Sequence, residues 1–131
     1  MVEADDPTLS VDLPNDPSAP WAAREFIRAV VQTWALDGAG EIIELLTDEL
    51  VSNVVRHVSA PMQLRVYRGG SSVRVEVDDP SRDLPVLHHP DPLIDHGRGI
   101  LLIEGLATAW GVKVHDNGKT VWFEVDASTA V

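Results

Sequence analysis

The dipeptide Asn117-Gly118 separates two runs of period-two apolar residues, Trp110 to Val114 and Thr120 to Val125, and constrains this chain more than any other feature. Asn-Gly between alternating runs is the strongest short-range signal for a β-hairpin, because few other residues tolerate the backbone of its tight turn. A second signal of the same kind lies upstream. Gln63 to Tyr67 is followed by Arg68-Gly69-Gly70-Ser71 and then by the alternating Val73, Val75 and Val77. Two antiparallel hairpins are thus expected in one sheet.

Helical period precedes them. Ser18 is placed to cap a helix with Pro20 in its first turn, and Phe26, Ile27, Val30, Val31 and Trp34 mark one face before Asp37-Gly38 stops it. The segment 41–58, EIIELLTDELVSNVVRHV, follows as a second helix. Thr8 to Leu13 alternates like a short strand, and a short apolar helix is read over Ile100 to Ala109. The resulting order, β-α-α-β-β-loop-α-β-β, predicts an α+β fold. Its architecture is a two-layer α/β sandwich, with a mixed, largely antiparallel sheet and helices on one face. Residues 1–7 are expected as a disordered N-terminus, 8–126 as the domain and 127–131 as a C-terminal tail.

Bulk properties narrow the function classes. At 131 residues, 44% of them apolar, the chain suits one domain with a substantial core. A formal charge of −11 opposes both a phosphate backbone and an anionic bilayer, so neither nucleic acid nor membrane is an expected partner. No run approaches the roughly 20 apolar residues of a spanning helix, and a cytoplasmic location is expected. With no cysteine there is neither a disulfide framework nor a thiolate metal site.

Within the second helix, Ile42, Ile43, Leu45, Leu46, Leu50 and Val54 are read as one apolar arc, and Glu49 and Asn53 interrupt it. Their i,i+4 spacing points both the same way from adjacent turns. An amide oxygen suits Mg²⁺, which takes few protein ligands when phosphates supply the rest, and a carboxylate one turn earlier can deprotonate a nucleophile. Polar pairs at a helix rim are also common, and the pair alone fits either reading. Asp79 ends the Val73 to Val77 strand, where a carboxylate can accept a hydrogen bond from an exocyclic amine or simply cap a turn before Pro80. Asp78 competes with it. Alternation favours Asp79, which continues the inward row.

Asp78 to His96 carries four prolines and no sustained period, an unusually long loop for a small domain. Gly97-Arg98-Gly99 then opens the short helix, where unpaired N–H groups favour phosphate, although a lone G-x-G serves equally as a hinge. His88, His89, His96, Asp91 and Asp95 in the loop match no zinc spacing and read as solvated residues. Trp21, Trp34, Trp110 and Trp122 read as core or interface aromatics.

Taken in order, ELVSNVVRH, VEVDDPSRDLP, HGRGILLIEGLATAWGV and GKTVWFEV resemble the GHKL ATPase superfamily with its Bergerat nucleotide-binding fold. Within that superfamily the likeness is to the stand-alone anti-sigma-factor serine/threonine kinases of actinobacteria, and it spans Leu9 to Val125. The resemblance implies ATP and Mg²⁺ as cofactors, with Asn53 as the metal ligand and Glu49 as the general base. It also implies that Asp79 receives the adenine amino group, with Thr120 supporting that carboxylate through water, and that Gly97, Arg98, Gly99 and Ile100 line the phosphates. His57 matches a histidine that braces such sites. The implied activity is phosphorylation of an anti-sigma antagonist together with sequestration of a sigma factor. The alternative is a non-catalytic nucleotide-binding module in a partner assembly; relatives of this kind commonly form homodimers.

Two departures stand out. Asp79-Pro80-Ser81-Arg82-Asp83 replaces the usual D-x-G-x-G, leaving Ser81 as the small residue, and the segment from Asp83 to His96 is a short, proline-rich lid. No phosphoacceptor helices precede the domain in these residues, so a complete sensor histidine kinase is not expected.

Overall fold

The computed structural model describes residues 6–36, 38–57, 61–80 and 105–127, with the backbone alone for residues 56 and 57. The elements are β1 (Thr8–Leu13), α1 (Ala19–Thr33), α2 (Gly40–His57), β2 (Met62–Gly69), β3 (Ser72–Asp79), β4 (Ala109–His115) and β5 (Gly118–Asp126). The strands form one sheet in the order β1-β2-β3-β5-β4, each neighbouring pair antiparallel. The expected α+β sandwich is what forms. The second hairpin joins the first through its returning strand, so β5 lies inside the sheet beside β3 and β4 lies at an edge.

Alternation along the strands gives each face its character. Leu64 and Val66 of β2, Val73, Val75 and Val77 of β3, and Val121, Phe123 and Val125 of β5 are all buried and form one cluster with the helices. The opposite face carries charge. Arg65 bridges Glu76 and Asp78, Arg74 bridges Glu76 and Glu124, and the Arg74 guanidinium lies 4.0 Å over the Trp122 ring. No helix among the described residues is long and apolar enough to cross a membrane.

Both turns differ by one residue from their sequence reading. Gly69 pairs with Ser72, leaving Gly70-Ser71 as the loop, and Gly70 has the φ of 60° that a type II′ turn needs at its first central position. In the second hairpin His115 pairs with Gly118, so Asp116 and Asn117 form the loop and Gly118 begins β5 with φ 144°. The signal located the hairpin correctly but not the position that required glycine.

The helices also shift. Ser18 precedes α1, but its hydroxyl bonds Asp16 rather than capping the helix. Further along, Ala35 takes φ 53° while Ala35 N–H donates to Gln32 C=O and Leu36 N–H donates to Val31 C=O. Those two bonds are a Schellman termination, and they end α1 before Asp37-Gly38 is reached. On α2 the buried stripe is Ile43, Leu46, Thr47, Leu50, Val51 and Val54, while Leu45 is exposed and Ile42 half-buried. The stripe is turned because α2 packs against both α1 and β3; Gly40 allows the first contact, since a Cβ there would stand 3.1 Å from Val31 Cγ1. The helix expected over Ile100 to Ala109 ends early. Gly105 and Leu106 keep a helical turn, but Thr108 N–H and Oγ1 both donate to Glu124 C=O, and Ala109 already belongs to β4.

Candidate functional site

Glu49 and Asn53 sit one turn apart on α2, both half-buried. They flank the stripe that packs on the sheet instead of lying within it, because that stripe is centred on Leu50 and Ile43. A rim position suits groups that must be fixed by packing yet reach a ligand.

Asp79 is the last residue of β3 and follows Val73, Val75 and Val77 on the helix-facing side, with 6% of its surface exposed. Its position is set by β5. The register pairs Asp79 with Lys119, and Lys119 Nζ donates to Asp79 Oδ2 at 2.7 Å. Lys119 is itself only 5% exposed and heads the inward row of Val121, Phe123 and Val125. Gly118 makes this approach feasible, since a Cβ at that residue would stand 2.8 Å from Pro80 Cα. A buried ion pair therefore closes the end of the β3–β5 ladder.

Asp78 belongs to the other face. Arg65 Nη2 donates to its Oδ1 at 2.8 Å, and Thr120 Oγ1 donates to the same oxygen at 2.7 Å. Since that hydroxyl hydrogen is directed at Asp78, the 2.9 Å contact between Thr120 Oγ1 and His115 Nε2 requires the imidazole to donate. The Arg65 hydrogen bonds hold the Asp78 carboxyl below the usual carboxylate range against the opposing effect of burial, with Thr120, and then the charges of Arg65 and His115, acting in the same sense. Alternation thus puts Asp79 on the helix-facing side of the sheet and Asp78 on the other. It also overturns the expected role of Thr120: one residue out of phase, it supports Asp78, and Lys119 stands where help for Asp79 was expected.

Lys119 was missed from the sequence, although a signal existed. In the alternation of β5 it occupies an inward position, where a lysine is rarely tolerated without a carboxylate partner.

A cleft of about 530 Å³ opens at this end of the sheet, lined by Asp78, Asp79, Pro80, His115, Asn117 and Lys119 among others. Its buried carboxylate and ammonium, with polar groups at the mouth, suit the edge of a heteroaromatic ring. Among the described residues no cluster of three or more His, Asp or Glu is arranged to hold a metal ion. The Asn53 amide oxygen is of the ligand type that fits Mg²⁺ bound mainly through phosphate. Ser81, Gly97, Arg98, Gly99, Ile100, His88, His89 and His96 lie outside the described residues, as does the side chain of His57.

Comparison with known proteins gives two findings. The family model described as "Histidine kinase-like ATPase domain" matches residues 13–125. Among solved structures, the RsbU and RsbW domains of Rv1364c from Mycobacterium tuberculosis align with a TM-score of 0.67 at 18% identity, over 92% of this chain and 32% of that one. The chain therefore spans about a third of that structure, and the likeness at this identity is one of fold. No curated protein matches.

Proposed function

Because the chain belongs to the family of histidine kinase-like ATPase domains, we propose that it is a Mg-ATP-dependent serine/threonine protein kinase of the anti-sigma-factor type. The observation that carries this reading is the buried carboxylate of Asp79 at the end of β3, on the side of the sheet covered by the helix that bears Glu49 and Asn53. In this reading Asp79 accepts a hydrogen bond from the base, and the Asn53 amide oxygen ligates Mg²⁺. Glu49 takes the proton from a seryl or threonyl hydroxyl of an antagonist protein. Mg²⁺, when bound, offsets charge on the phosphates during transfer. Ser81 and residues Gly97, Arg98, Gly99 and Ile100 are proposed to line the phosphates, and His57 to brace the site. A sigma factor is the proposed regulated partner, held until the unphosphorylated antagonist displaces it. The fold shared with a structure that includes an RsbW domain supports that class of partner.

A second reading, a nucleotide-binding regulatory module that transfers nothing, is favoured by Asp79-Pro80-Ser81-Arg82-Asp83, which lacks the expected glycines. Labelled ATP and an antagonist encoded beside this protein separate the two. Phosphoserine or phosphothreonine formed by the wild type and lost in Glu49→Ala, with Mg-ATP binding retained in a calorimeter, supports the kinase. Binding without transfer to any such antagonist supports the module, and no binding heat from the wild type removes both.

A further inference from the structure

Asn117 is exposed in the loop Asp116-Asn117 that joins β4 to β5, and it lines the cleft beside Asp79 and Pro80. An asparagine followed by glycine carries a reaction of its own. The backbone nitrogen of the following residue attacks the asparagine Cγ, a C–N bond forms, and the bond from Cγ to the side-chain nitrogen breaks, so that ammonia leaves with the backbone amide proton. A succinimide ring results. Water then opens it at either carbonyl, giving aspartate, or isoaspartate in which the main chain runs through the side-chain carbon. No oxidant or reductant is needed.

A side chain on the attacking residue crowds this ring, and glycine has none. The fold keeps glycine at that place. A Cβ on residue 118 would stand 2.8 Å from Pro80 Cα and 2.9 Å from Pro80 C, so no side chain can shield the Gly118 nitrogen while β5 pairs with β3 in this register. Position 117 is under no such constraint, since its loop asks only for a turn former. The other asparagines differ: Asn15 is followed by Asp16 and Asn53 by Val54, each with a side chain in the way.

We propose that Asn117 is a self-modification site, losing ammonia through a succinimide with Gly118, and that the aspartate and isoaspartate formed loosen the β3–β5 junction as the protein ages. Two effects act there. Either product brings a new carboxylate to a cleft already lined by Asp12, Asp78 and Asp79. Isoaspartate also adds a methylene to the main chain directly before Gly118, where the backbone has no slack because it abuts Pro80 and the loop from His115 to Gly118 is already tight. That extra atom strains the register joining Asp79 to Lys119 and Asp78 to Thr120. The inference stands on the hairpin alone and does not need the nucleotide-binding reading.

Storage of the whole chain in mildly alkaline buffer, followed by peptide mass mapping, tests it. Residue 117 is expected to gain the mass of one deamidation clearly faster than Asn15 or Asn53, with isoaspartate identified by electron-transfer fragmentation. The converted protein, separated by anion exchange, is expected to melt at least about 3 °C lower than the fresh protein. Asn117→Ser, which keeps a turn former but has no carboxamide, is expected to show neither change on storage. Should that variant fail to fold, mapping and melting of the wild type still decide. Conversion at residue 117 no faster than at Asn15 or Asn53, or converted protein that melts with the fresh, overturns the inference. Neither outcome touches the proposed function, which is tested by Mg-ATP binding to fresh protein.

Discussion

Lys119 Nζ and Asp79 Oδ2 are 2.7 Å apart at the junction of β3 and β5, and neither side chain is more than 6% exposed. A pair so enclosed has given up its hydration on both sides, and its attraction offsets that loss only while both partners remain. The two residues consequently tie the integrity of the sheet end to whatever the cleft binds.

Truncating either partner removes the opposite charge that lies 2.7 Å from a charge that stays buried. Lys119→Met and Asp79→Ala are each expected to lower unfolding free energy by about 3–5 kcal/mol. The double variant should lose clearly less than the sum, because it buries neither charge. Urea denaturation of the four proteins checks this, and additive losses would show that the two groups do not depend on each other.

Gly118 combines φ 144° with a Cβ position already occupied by Pro80 backbone. Gly118→Ala is expected to destabilise by more than about 2 kcal/mol, since strain and clash act together. Thermal melting measures the loss. A variant as stable as the wild type would mean that the β3–β5 junction is looser than described.

The opposite change is expected at Ala35, which holds φ 53° at the glycine-preferred position of a Schellman termination. Ala35→Gly relieves a left-handed alanine and should stabilise by up to about 1 kcal/mol, reduced by the extra freedom of the unfolded glycine. A shift of the denaturation midpoint to higher urea with unchanged slope is the expected readout.

Asp78 gives the fold an acid-sensitive point. Its carboxyl is held below the ordinary value of 3.8, first by hydrogen bonds from Arg65, so its folded pKa is lower than its unfolded one. The stabilisation is then fully present above the unfolded value and is lost as pH falls below about 3.8 through the folded value. Asp78→Asn is expected to flatten the stability profile in that acid window relative to the wild type. Denaturation midpoints measured from neutral pH down through this range test it, and parallel profiles would sink the assignment.

Local pattern carried much of this structure. Thr8–Leu13 is read as a strand at both ends, and the inward valines of β3 follow from period two alone. The same alternation, carried through Asp79, matches the side of the sheet on which that residue is buried. It fails where a contact from elsewhere decides: the α2 stripe is turned away from Leu45 because α1 and β3 meet that helix from two sides. Within the candidate site, Asp79, Glu49 and Asn53 were legible as residues, whereas their degree of burial was not.

The amino-acid order by itself determined the element types, the two hairpins and the family, since each rests on turn chemistry, periodicity or motif spacing within a few residues. The tertiary structure alone decided that β5, not β4, lies beside β3, and that the register there joins Asp79 to Lys119 and Asp78 to Thr120. Strand periodicity is blind to a partner some forty positions away. A slip of one residue between β3 and β5 would exchange the two faces and place a different side chain against the carboxylate.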